Sequence, residues 1–157
     1  MKSAVIYYSY SGNTKKVAQV LAGALKEKGE VDLIEIKALD ESKNFFAQAA
    51  RAFKHVKAKI AAANFNLSSY DLLCFGTPVW AFGPAPAMNA YMESCFGLEN
   101  KQATLFATYG SGSGKKRCLD YMENILAKRG VASLKRFSIQ QFKVKDKEFV
   151  MQEIARL

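Results

Sequence analysis

KSAVIYYSYSGNTKKVAQVLAGALKEKG, residues 2–29, carries three signals in succession. Residues 2–8 are a short apolar run rich in side chains that prefer extended backbone, so they read as a strand. Over 15–28 the apolar residues Val17, Val20, Leu21, Ala24 and Leu25 recur at helical spacing. Gly29 is placed to end that helix in the left-handed conformation. Between strand and helix, Ser9-Tyr10-Ser11-Gly12-Asn13-Thr14 concentrates hydroxyls, an amide and a glycine. A strand that passes through such a loop straight into a helix opens an alternating α/β chain.

The alternation continues outward from this unit. Residues 31–36 read as a strand near a sheet edge, with Val31, Leu33/Ile34 and Ile36 set among acidic residues. Residues 44–62 read as a helix with Phe46, Ala49, Phe53, Val56 and Ile60 on one face. The continuous apolar run 72–76 marks a strand covered on both sides. A helix over 86–96, a strand over 103–108, a helix over 115–128 capped by Gly130 and a strand over 131–140 follow. Asp146 is placed to N-cap a last helix. Strand–helix alternation throughout implies a parallel sheet with helices on both faces, and right-handed crossovers make it doubly wound.

In such sheets ligands sit outside the carboxyl ends of the strands. All three prolines, Pro78, Pro84 and Pro86, fall in the loop after the third strand, and Gly12, Gly76, Gly83, Gly110, Gly112 and Gly114 lie in or beside the loops after strands one, three and four. The first loop delivers Ser9, Ser11, Thr14 and Asn13 to a helix start, where free N–H groups and the helix dipole together hold a dianionic phosphate. One such residue would be an ordinary N-cap. Four polar groups and a glycine in six residues point to a phosphate site.

Ser9–Thr14 resembles the flavodoxin phosphate signature, which alternates Ser or Thr with a variable residue before Gly-Asn-Thr. Residues 71–80, DLLCFGTPVW, resemble that family's third strand and following loop, and residues 105–110, LFATYG, its fourth strand and third flavin loop. The resemblance spans essentially the whole chain. It implies one flavodoxin-like domain over 1–157: a three-layer, doubly wound, five-stranded parallel sheet in the order 2-1-3-4-5. It implies FMN as cofactor, its phosphate held by Ser9, Tyr10, Ser11, Gly12, Asn13 and Thr14. Pro78, Val79, Trp80, Ala81, Phe82 and Gly83 would lie along the isoalloxazine, with Trp80 and Phe82 as stacking aromatics. Thr108, Tyr109 and Gly110 would close the other side.

The chain departs from the family in charge. Flavodoxins are acidic and place carboxylates beside the flavin. This chain has a net charge of +9. Residues 78–86 and 109–114 contain no Asp or Glu, and Lys115, Lys116 and Arg117 follow directly. The basic excess lies in 37–62 and 115–157, which favours an acidic redox partner.

Other chemistries fit poorly. Residues 110–115, GSGSGK, lack the first glycine and the hydroxyl after lysine of a nucleotide P-loop. The first loop lacks the third glycine of a dinucleotide fingerprint. His55, the single histidine, cannot build a zinc or haem site with Cys74, Cys95 and Cys118, which read as buried reduced thiols. Arg51, Lys54, Lys57 and Lys59 lack the interleaved aromatics of a nucleic-acid surface. No stretch approaches a membrane span, so the protein is expected to be cytoplasmic, as a monomer or weak dimer. Because the chain is near the minimum length of the fold, an FMN electron carrier without catalytic side chains is the first expectation. An FMN-dependent NAD(P)H:quinone reductase or protoporphyrinogen-oxidase-like enzyme is the alternative, and a binding module without flavin a remoter one.

Overall fold

The computed structural model describes residues 1–40, 47, 59–61 and 63–157. Its strands are β1 (Lys2–Tyr7), β2 (Glu30–Glu35), β3 (Leu72–Trp80), β4 (Gly83–Pro84), β5 (Gln102–Tyr109) and β6 (Ser133–Gln140). The described helices are α1 (Asn13–Lys26), α2 (Pro86–Ser94), α3 (Lys115–Lys128) and α4 (Lys147–Ala155). The strands form one sheet in the order β2-β1-β3-β5-β6, and these five are mutually parallel. Their arrangement is that of the flavodoxin fold.

The expected five strands gain a sixth. Instead of ending near Gly76, β3 runs on to Trp80, and β4 folds back on it antiparallel, pairing Val79 with Pro84 and Trp80 with Gly83. A two-residue turn at Ala81 and Phe82 makes this possible. Both residues have positive φ, 46° and 68°, the handedness that matches the twist of a tight hairpin. Thr77 fastens the base of the hairpin: its buried hydroxyl accepts from the Ala85 N–H at 2.9 Å.

Most of the expected helix over 44–62 lies outside the described residues, His55 and the basic residues Arg51, Lys54 and Lys57 among them. Its far end is not helical, because Ile60 instead bridges antiparallel to Ala38.

Alternation along the strands divides the core in two. Ala4, Ile6, Leu73, Phe75, Leu105 and Ala107 face Met88, Tyr91 and Met92 of α2 and Cys118, Met122 and Leu126 of α3. Val5, Tyr7, Cys74, Phe106 and Phe137 face Val17, Leu21 and Leu25 of α1 and Val150 of α4. Each Val, Leu, Ile, Met or Phe among them contributes about 1.5–3 kcal/mol by leaving water. Gly76 is required by packing: a Cβ there would fall within the Phe106 ring, which itself stacks on Phe137 at 5.7 Å. The central strands β1, β3 and β5 are therefore buried on both faces, and their carboxyl ends open onto one edge.

Candidate flavin site

Three loops meet at that edge. Ser9, Tyr10, Ser11 and Gly12 link β1 to α1, whose first turn begins with Asn13 and Thr14. Pro78, Val79 and Trp80 belong to the end of β3 rather than to a loop, Ala81 and Phe82 form the hairpin turn, and Gly83 opens β4. Thr108 and Tyr109 end β5, and Gly110 begins the loop to α3. All the residues singled out from sequence thus share the carboxyl edge of the sheet.

The helix starts are unusual in a consistent way. Both α1 and α3 begin at a glycine in left-handed conformation, Gly12 at φ 85° and Gly114 at φ 84°, and neither has a side-chain cap. By contrast the start of α4 is capped in the ordinary manner: Asp146 accepts from the Phe149 N–H at 3.0 Å. Helix starts carry N–H groups with no partner inside the helix. At α1 the Lys15 N–H goes to Ser9 Oγ, while the N–H groups ahead of it, like those at the α3 start, have no side-chain cap, which suits an anionic ligand.

The hydroxyls complete the donor set. Ser9 Oγ accepts from the Lys15 N–H at 3.2 Å, so its own hydrogen is free to donate into the loop. Thr14 and Thr108 are both buried, with their hydroxyl oxygens 2.8 Å apart. Whichever donates, the acceptor's hydrogen remains available, and the bond ties the first loop to the third. Phe82 ties the second to the third, since a Cβ on Gly114 would stand 2.5 Å from its ring.

The two expected stacking aromatics differ. Trp80 is 5 % exposed and packs edge-on between Tyr8 and Tyr10, at 5.7 and 5.5 Å. Core packing occupies most of its surface. Phe82 is 46 % exposed, and Tyr109 is half-buried.

Several supporting residues escaped the sequence reading. Glu35, at the end of β2, accepts from Lys15 Nζ at 3.1 Å. Burial first, then the Glu35 charge and hydrogen bond, push the Tyr7 phenol up to about 12. Gln140 Nε2 donates to the Gly110 carbonyl at 3.1 Å, bracing the third loop from β6. Only parallel register brings Tyr7 beside Glu35 and Tyr109 beside Gln140. The one signal in the sequence was a polar residue closing each of these strands.

Burial raises the thiols of Cys74 and Cys118 to about 12 and that of Cys95 to about 11, so none is a nucleophile at neutral pH. Among the described residues no cluster of His, Cys, Asp and Glu could hold a metal ion, and no helix is long and apolar enough to cross a membrane.

A doubly wound parallel sheet with hydroxyl-rich, uncapped helix starts at its carboxyl edge defines a flavodoxin-like flavoprotein. Solved structures agree on the fold. A flavoprotein from Bacteroides uniformis superposes with a TM-score of 0.73 at 20% identity, over 98% of this chain and 97% of its own. A flavoprotein from Lactobacillus acidophilus, solved in complex with FMN, gives 0.68 at 20% identity over 94% and 98%. An azoreductase from Bacillus anthracis gives 0.62 at 12% identity over 99% and 96%. The sequence profile described as NADPH-dependent FMN reductase matches residues 1–143, and the chain belongs to that family. FMN binding follows from the membership.

Proposed function

We propose that this chain is an FMN-dependent oxidoreductase that draws two electrons from NADPH and delivers them to a small oxidised acceptor such as a quinone. The observation that carries this reading is the charge of the site: helix starts suited to an anion, and second and third loops followed by lysine and containing no carboxylate. FMN, when bound, supplies a redox centre able to take up a hydride. The protein's part is to bind and orient it. Ser9, Ser11, Asn13 and Thr14, with the N–H groups of the α1 start, would hold the phosphate. Residues 78–83 and 108–110 would flank the ring, Phe82 and Tyr109 offering the accessible aromatic surface. Family membership supports NADPH as the donor.

Protein loaded with FMN should oxidise NADPH continuously when a soluble quinone is present and no other protein is added. Turnover absent with both NADPH and NADH would overturn the enzyme reading. The second reading is then an electron carrier, favoured by a basic surface suited to an acidic redox partner. Photoreduction followed by salt-sensitive electron exchange with such a partner would mark it.

A further inference from the structure

We infer that Lys115 is the residue that sets the reduction potential of the site, by holding an ammonium charge where the fully reduced flavin becomes anionic. The inference rests on the proposed placement of FMN between the second and third loops. Lys115 is half-buried in the first turn of α3. Its Nζ lies 4.5 Å from the centroid of the Tyr109 ring and 3.3 Å from the Tyr109 hydroxyl, to which it donates. Its neighbour Lys116 is neutralised by Asp120 at 2.7 Å. Among the described residues no carboxylate pairs with Lys115.

A cation in the first turn of a helix is at the wrong end of the dipole, and a half-buried one without a counter-ion is costlier still. The Tyr109 ring and hydroxyl offset part of that cost, and an anion at the edge of the site would offset the rest. Two electrons and one proton leave the flavin ring with one net negative charge, while the oxidised ring has none. A fixed ammonium across the Tyr109 ring therefore favours the fully reduced form selectively. Gly114 makes the placement possible: its left-handed backbone turns α3 in directly beneath Phe82, so the Lys115 stem emerges against Tyr109.

The test is spectroelectrochemical titration of the FMN-loaded protein and its Lys115→Met, Lys115→Arg and Lys116→Met variants, with FMN affinity measured alongside. Lys115→Met should weaken the preference for fully reduced over oxidised FMN at least tenfold, or about 30 mV on the two-electron couple. Its affinity for oxidised FMN should stay within about threefold. Lys115→Arg should restore the potential, and Lys116→Met should leave it unchanged. An unchanged potential in Lys115→Met, or an equal loss of affinity for both flavin states, overturns the inference. A wild-type protein that fails to bind FMN would instead overturn the site placement, a separate and earlier result.

Discussion

Thr14 and Thr108, 94 residues apart, share one buried hydrogen bond. Replacing either alone by Val strands a buried hydroxyl and should cost about 1–3 kcal/mol, while replacing both should cost less than the two single changes added. Urea unfolding of the four proteins measures that coupling. The role proposed for Ser9 is toward the ligand instead. Ser9→Ala removes a donor to a charged acceptor, about 1.5–3 kcal/mol, so FMN affinity should fall at least tenfold. Riboflavin, which has no phosphate, should bind as before, and an equal loss for both would move the phosphate elsewhere. Ser9 and Thr14 stood out in the sequence because several hydroxyls and a glycine gather at one helix start, more than a single N-cap needs. The partnership of Thr14 with Thr108 was not legible, since it depends on how β1, β3 and β5 stand in register. The surroundings of Trp80 were likewise not legible. A large aromatic beside prolines reads as a stacking platform, yet extension of β3 carries it inward between Tyr8 and Tyr10.

The hairpin after β3 is the element that sequence reading missed. Tight hairpins announce themselves through Asn-Gly or Asp-Gly, which tolerate positive φ. Here Ala81 and Phe82 occupy those positions, so the signature is absent and the backbone is strained. Ala81→Gly should relieve about 1 kcal/mol net of the added backbone entropy, and the thermal midpoint should rise by a few degrees. Gly114→Ala should act in reverse. It forces a side chain into a φ of 84° and against Phe82, so the midpoint should fall and the near-ultraviolet signal of the aromatic rim should change. The helices were read more reliably. The expected range 115–128 coincides with α3, and Asp146 caps α4 as foreseen. Local signals of amphipathic spacing and capping suffice for helices, whereas a hairpin of this kind is fixed by its surroundings.

Across the molecule, the buried thiols predict a limit at alkaline pH. Cys74, Cys95 and Cys118 have folded values of about 11–12 against 9.0 for a free thiol. Raised values favour the protonated, folded state, so their contribution is complete below pH 9 and is lost as pH rises from 9 toward 12. The unfolding free energy from urea titration should fall over that interval, by at most about 1.4 kcal/mol per pH unit for each thiol. Cys118→Ala should flatten the decline. The parallel order of the sheet was legible because strand–helix alternation allows few topologies. The same order has a consequence for synthesis. β1 pairs with β2 on one side and with β3, beginning at Leu72, on the other. A nascent chain must therefore carry an apolar first strand half-paired while roughly 40 further residues are added after β2, some 2–8 s at ordinary elongation rates. During that interval Val5 and Ile6 are open to a chaperone, and a polypeptide stalled before residue 72 should be captured by one that a chain released beyond residue 109 escapes.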